Sequence, residues 1–247
     1  MWSFKNKKVL VMGLGLLGGG ETVTNWLLSE GAQVTVTDLR TKKELAKTIA
    51  RIKGKKVVWH LDGHVDEDFT AHDLIVRNPA VPDDSLFLSI AKKAGIPIYN
   101  EAALFFEQTK REIIVVTGTR GKSTVSTLIS ELLQGHYPYT FVAGNRGDVP
   151  MFSFIKEAKR NVSCPIVLEL SSWQVEGLAA QKLSPHIAVL TNLYPDHLNK
   201  YKSLSDYYKA KCRIFVYQKK NDIAVFNAAN KASVAAARKI KAKKLWF

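Results

Sequence analysis

The feature that most constrains this chain is the run Val115-Val116-Thr117-Gly118-Thr119-Arg120-Gly121-Lys122-Ser123-Thr124. An apolar strand enters a glycine loop, and Lys-Ser then opens a helix whose apolar residues Val125, Leu128, Ile129 and Leu132 recur at helical spacing. Glycines let backbone N–H groups curl around phosphate oxygens, and the positive end of the new helix faces the same anion. A chain built around such a unit is committed to a parallel α/β sheet that binds its ligand at the strands' carboxyl ends. Lys122 is expected to reach the β/γ-phosphates and the Ser123 hydroxyl to ligate Mg2+. Gly118, Thr119, Arg120, Gly121 and Thr124 complete the expected nucleotide contacts. Val116 stands where the strict eight-residue phosphate-loop pattern has its first glycine. A plain glycine turn is the alternative reading.

A second glycine loop, Gly13-Leu14-Gly15-Leu16-Leu17-Gly18, follows the strand-like Val9 to Met12, and Asp38 closes the next strand. This matches the dinucleotide-binding fingerprint and, taken alone, predicts NAD. The physics is less specific, because a tight turn, a helix N-terminus and a carboxylate can hold any nucleotide diphosphate. Arg40 adds a cation beside Asp38. Lys5, Lys7 and Lys8 ahead of the apolar run from Val9 to Leu17 imitate a secretory signal. The run is too short to span a bilayer and is read as mature protein.

Strands are expected near Val9 to Met12, Val34 to Thr37, Val57 to His60, Leu74 to Val76 and Ile96 to Tyr99, with a helix from Leu86 to Ala94. A boundary close to Asn100 would give domains 1–99 and 100–247. A helix around Glu101 to Gln108 leads to strands at Ile113 to Val116, Thr140 to Val142, Ile166 to Leu170, Ile187 to Leu190 and Ile223 to Phe226. Runs apolar on both faces imply sheets covered by helices. Lys231 to Lys244 reads as a surface amphipathic helix, and Lys244 to Phe247 as the start of a strand. Cys164 and Cys212 follow no metal-ligand spacing, which suits a reducing cytoplasm. A net charge of +14 favours anionic ligands such as nucleotides or phosphorylated metabolites without choosing among them.

Three further constellations fall at strand ends of the second series. Glu169 closes Pro165 to Leu168 and would project toward the phosphate loop, where a carboxylate suits a metal. Ser171-Ser172-Trp173-Gln174 follow it, and Thr191-Asn192-Leu193-Tyr194-Pro195-Asp196-His197 follow the next strand. On a helix from about Ser205 to Val216, Lys211 has Tyr207, Tyr208, Ile214 and Phe215 at its helical neighbours. Burial there would lower its pKa and leave a neutral amine able to add CO2, giving an anionic carbamate that suits Mg2+. A lysine that snorkels to solvent is the alternative.

Together these motifs resemble the ATP-dependent Mur ligase family of peptidoglycan synthesis, and within it the branch that adds D-glutamate. The carriers are Gly118 to Ser123, Glu169 to Gln174 with Trp173 where the family has Phe, and Asn192 through Asp196-His197 to Tyr201 with Lys200 where it has Arg. Ala210-Lys211-Cys212-Arg213-Ile214 and the loop Ala143-Gly144-Asn145-Arg146-Gly147 complete the set. The resemblance implies a Rossmann-like first domain and a central ATP-binding domain, with ATP and Mg2+ as cofactors. It implies UDP-MurNAc-L-alanine and D-glutamate as substrates in a cytoplasmic enzyme. Lys122, Glu169, His197 and Lys211 would be catalytic, and Ser123, Glu169, His197 and carbamylated Lys211 would hold metal. Gly15, Leu16, Leu17, Asp38, Arg40, Asn145, Ser171 and Gln174 would meet the UDP substrate. Family members carry a third, C-terminal domain with no counterpart here, so a truncated chain is expected. It is expected to be a monomer with no membrane or specific nucleic-acid partner. An NAD(P)-dependent oxidoreductase built on the Gly13 to Gly18 loop and a nucleotide-dependent nucleic-acid module are the competing readings.

Overall fold

The computed structural model describes residues 3–53, 56–109, 111–137, 139–145, 149–160 and 163–247. They form two compact units, Met1–Gln108 with Pro150–Ser153, and Thr109–Val149 with Phe154–Phe247.

In the first unit the chain runs β1 (Lys8–Met12), α1 (Gly19–Ser29), β2 (Gln33–Asp38), α2 (Ala46–Ile49), β3 (Val57–Leu61), a 3-10 turn (Asp66–Phe69), β4 (Leu74–Arg77), α3 (Leu86–Lys93), β5 (Ile98–Asn100) and α4 (Glu101–Thr109). The five strands are parallel in the order β3-β2-β1-β4-β5, so the order reverses at β1 and opens a crevice beyond its carboxyl end. Leu10, Met12, Phe69, Ile75, Leu88 and Ala91 pack as one core cluster. Burial of each large side chain contributes about 1.5–3 kcal/mol. The strand expected from Ile96 begins at Ile98, after Pro97, which has no N–H to donate to a ladder. The division into units also differs from a boundary at Asn100, because α4 buries Ala102, Leu104 and Phe105 in the first unit. Phe105 meets Phe152 of Pro150–Ser153 edge-on at 5.7 Å, and Phe152 meets Trp26 at 4.8 Å.

The second unit contains β6 (Ile113–Thr117), α5 (Lys122–Gln134), β7 (Phe141–Gly144), α6 (Ile155–Arg160), β8 (Ile166–Glu169), α7 (Ser172–Ala180), β9 (Ile187–Leu190), α8 (Leu204–Cys212), β10 (Ile223–Phe226), α9 (Lys231–Ala237) and β11 (Lys243–Trp246). Its six strands are parallel in the order β11-β10-β9-β6-β8-β7. Every residue of β6 is buried, as expected for a strand covered on both faces. The carboxyl ends of β6, β8 and β9 lie side by side, so the segments that follow them share one edge.

Two expected helices are shorter in the structure. The one carrying Lys211 stops at Cys212 and tightens into a 3-10 turn over Arg213–Phe215, a common ending for an α-helix. The final helix stops at Ala237 rather than Lys244. Beyond it Arg238, Lys241 and Lys244 fall at i,i+3, and Lys239 and Lys243 at i,i+4, where like charges oppose a helix. Lys243–Trp246 instead pairs with β10. Among the described residues no helix is long and apolar enough to cross a membrane.

Candidate active site

In the first unit β1 runs into Gly13, Gly15 and Gly18, all with φ between 69° and 86°. Gly18 caps α1 from the left-handed region, where glycine alone is unstrained. A Cβ on Gly13 would stand 2.9 Å from Asn78 Cβ, so the loop hugs the turn after β4. Asp38 is buried at the end of β2, and its carboxylate accepts from Gly15 N–H at 3.1 Å and Arg40 N–H at 2.9 Å. The Arg40 guanidinium stands 3.3 Å from the same carboxylate, and Leu16 and Leu17 are exposed on the loop. Asp38 therefore shapes the loop, while Arg40 and the two leucines rim it. At the first turn of α1, Glu101 Oε2 would lie 2.8 Å from a Cβ on Gly19. Glu101 Oε1 is buried with no hydrogen-bond partner among the described residues, and burial pushes the carboxyl up to about 7.

In the second unit Gly118 follows β6 with φ 145°, and an added Cβ would collide with Thr191 Oγ1. Gly121, at φ 79°, caps α5, which opens with Lys122. Val116, at the position of the missing glycine, is fully buried in the strand, so the turn begins two residues later. The Lys122 ammonium donates to Thr119 O at 3.0 Å. Arg120 and Thr124 are exposed on the loop and the first turn of α5.

Glu169, 3% exposed at the tip of β8, accepts from Ser123 Oγ at 2.6 Å and from Asn145 Nδ2 at 3.5 Å. The Asn145 N–H donates to the Glu169 carbonyl at 2.7 Å. The neighbouring Arg146 and Gly147 lie outside the described residues. Among the described residues no three His, Cys, Asp or Glu side chains converge as a metal cage. A hydroxyl touching a buried carboxylate beside a phosphate loop nevertheless fits Mg2+, which binds through one or two protein oxygens, water and substrate phosphate.

Lys211 is 2% exposed, with its ammonium 4.9 Å from the centre of the Tyr207 ring. Burial, and then the charge of Lys122, lower its pKa to about 7, while Asp196, Cys212 and Glu169 act in the opposite sense. The amine thus feels the charges of the phosphate-loop lysine, the strand-tip carboxylate and Asp196. Tyr207 is the hub, since its hydroxyl donates to Thr119 Oγ1 at 3.3 Å and its ring meets His197 edge-on at 5.5 Å. His197 has φ 52°, and its Nε2 lies 3.9 Å from Asp196 Oδ2. Lys122, Ser123, Glu169, Asn145, His197 and Lys211 thus gather at one edge of the sheet.

Ser171 and Gln174 join each other at the start of α7. Ser171 N–H donates to Gln174 Oε1 at 2.9 Å and Gln174 N–H to Ser171 Oγ at 3.4 Å, a capping box that fixes the start of α7. Sequence reasoning missed the staple behind the phosphate loop. Asn192 Oδ1 accepts from Arg120 N–H at 2.9 Å while its Nδ2 donates to Arg120 O at 3.0 Å. Asn192 O accepts from Thr119 N–H at 3.0 Å, and Thr191 Oγ1 donates to Arg120 O at 2.7 Å.

The model for the Mur ligase middle domain matches residues 116–247, and that for the Mur ligase MurD-like N-terminal domain matches 7–100. The chain belongs to the Mur ligase family. It is 40% identical over 222 residues to the UDP-N-acetylmuramoylalanine--D-glutamate ligase of Roseiflexus sp. (strain RS-1), covering 90% of this chain and 47% of that protein. The enzyme of the same name from Koribacter versatilis (strain Ellin345) is 36% identical over 243 residues, 98% of this chain and 52% of the relative. The chain therefore spans about half the length of the curated relatives it matches. The fold is shared with UDP-N-acetylmuramate:L-alanyl-gamma-D-glutamyl-meso-diaminopimelate ligase from Neisseria meningitides, with a TM-score of 0.65 at 14% identity over 98% of this chain and 78% of that one. UDP-N-acetylmuramate-alanine ligase MurC from Thermotoga maritima gives 0.56 at 21% identity over 97% of this chain and 53% of that one. Both family models and these relatives are ligases, which leaves the oxidoreductase reading of the first glycine loop without support.

Proposed function

We propose that this chain is the UDP-substrate-binding and ATP-binding part of a cytoplasmic amide ligase that joins D-glutamate to UDP-MurNAc-L-alanine. The observation that carries this reading is the gathering of Lys122, the Ser123–Glu169 pair, His197 and the desolvated Lys211 at one edge of the sheet. A carboxylate is a poor acyl donor because its leaving group would be oxide. A carboxylate oxygen attacking the γ-phosphorus of ATP, with cleavage of the bond to the β-phosphate, releases ADP and forms an acyl phosphate. The D-glutamate amine then attacks the acyl carbon, phosphate departs, and the amine loses its proton.

In this scheme the amides around Gly118 to Lys122 and the Lys122 ammonium hold the β/γ-phosphates and offset charge as it shifts to the leaving oxygen. Mg2+ on Ser123 and Glu169, with a second ion near His197 and carbamylated Lys211, would supply further positive charge when bound. Asn145 orients Glu169, and Asn192 holds the loop in its curled form. Asp38, Arg40, Gly15, Leu16 and Leu17 would receive the UDP. The protein works as a monomer without membrane or nucleic-acid partners.

The test is hydroxylamine trapping with ATP, Mg2+ and UDP-MurNAc-L-alanine in the absence of D-glutamate. A hydroxamate of the substrate that requires ATP and disappears in Lys122→Ala is expected. ADP release with no trappable acyl group would overturn the reading.

A further inference from the structure

The turn that carries His197 is clamped to α7 from outside the reaction site. Lys200 N–H and Tyr201 N–H both donate to His197 O, at 3.0 and 3.1 Å, closing one helical turn. That turn lays Lys200 back over α7, with its Nζ 3.9 Å from the centre of the Trp173 ring. Next to it the Tyr201 hydroxyl donates to Glu176 Oε2 at 3.2 Å, a second tie between the turn and α7. Trp173 is a firm post because the Ser171–Gln174 capping box fixes the first turn of its helix. The His197 ring sits between this post and Tyr207, with centroids 5.9 and 5.5 Å away.

The energetics call for such a clamp. A non-glycine residue in the left-handed region is strained, and His197 adopts it at φ 52°. An ammonium over an indole offsets part of that strain. Without the contact the turn has reason to relax, and the imidazole would lose its fixed direction.

We propose that Lys200 and Trp173 are positioning residues that together hold His197 in place for the reaction. What His197 does there rests on the proposed ligase activity; that the clamp holds it does not.

The test has a structural and a kinetic arm. Ring resonances of His197, identified by their loss in His197→Gln, are followed by NMR in Lys200→Met and Lys200→Arg. Lys200→Met, which keeps a long apolar stem and loses the charge, should shift and broaden them while the other histidines stay put; Lys200→Arg should leave them near their native positions. In turnover assays Lys200→Met should lower kcat about two- to fivefold at unchanged KM for ATP, with Lys200→Arg restoring it. Unmoved His197 signals in Lys200→Met, or a Lys200→Arg variant as perturbed as Lys200→Met, would overturn the clamp. Turnover is read in the whole ligase of which this chain is a part; if that ligase forms no amide, the proposed function falls while the NMR arm still decides the clamp.

Discussion

Each unit places a glycine loop beyond the strand where its sheet order reverses, and each loop ends by opening a helix, yet the two are furnished differently. The first is braced by a buried carboxylate, with Asp38 accepting from the Gly15 amide, and its rim offers one arginine and exposed leucines. The second is braced by the neutral groups of Thr191 and Asn192 together with the Lys122 ammonium on Thr119 O, while Ser123 and Glu169 pair with each other. Two glycine loops of the same general plan thus differ in what stands at their rims, Arg40 with two leucines at the first and Lys122 with the Ser123–Glu169 pair at the second. The same contrast recurs in the buried titratable groups: an acid, Glu101, in the first unit and a base, Lys211, in the second, both brought to about 7 by desolvation.

The sharpest way to break this contrast is to remove one cation from each loop. Lys122→Ala should cut acyl-phosphate formation by roughly a hundredfold or more at unchanged thermal stability. Arg40→Ala should instead raise the KM for the UDP substrate about tenfold with kcat kept, since a contact made equally in ground and transition states moves KM alone. Steady-state kinetics on both variants decide it, and equal kcat losses would erase the distinction.

Lys211 comes next. Its folded pKa of about 7 lies below the ordinary 10.5, so its burial costs nothing above pH 10.5 and progressively more as pH falls toward 7. Lys211→Met should therefore gain stability relative to the native chain between pH 9.5 and 6.5, by about 3 kcal/mol in CO2-free buffer. Lys211→Ala should be inactive in ligation and partly rescued by short carboxylic acids. A pH-independent stability difference would show that the amine is solvated.

Asn192→Ala removes both side-chain bonds to Arg120 and should destabilise the second unit by about 1–2 kcal/mol while weakening ATP binding. Denaturant titration with and without ATP measures both effects, and an unchanged ATP affinity would mean the loop needs no staple. Glu101→Gln should change activity least of these variants, with a pH trend in stability opposite to that of Lys211→Met. Glu101 has a folded pKa raised from 4.5, so its cost grows as pH rises to about 7 and is constant above. The variant should match the native protein near pH 4.5 and exceed it by about 3 kcal/mol at pH 8.

Much of this contrast was legible in the sequence, because its carriers are local. Strand, glycine loop and helix are contiguous in both units, and the spacing of Tyr207, Ile214 and Phe215 about Lys211 points to the packed face that it occupies, with snorkelling as the alternative. The capping role of Ser171 and Gln174 was also readable, since Ser-x-x-Gln ahead of a helix is a capping-box pattern. The Asn192 staple was not readable, because it joins segments 72 residues apart and exists only once β9 lies beside β6. The packing of Pro150–Ser153 onto α1 and α4 is equally nonlocal, with Phe152 finding Trp26 and Phe105 far from its own sequence neighbours. The early end of α9 turns on a similar competition, as pairing with β10 takes residues that apolar periodicity had assigned to a helix.

The most direct measurement follows oxygen. With UDP-MurNAc-L-alanine labelled by 18O in its carboxylate, turnover with ATP and D-glutamate should place one labelled oxygen in the released phosphate, as the acyl phosphate surrenders it to phosphorus. Amide product accompanied by wholly unlabelled phosphate would contradict the account, because the carboxylate would then never have been joined to the γ-phosphoryl group.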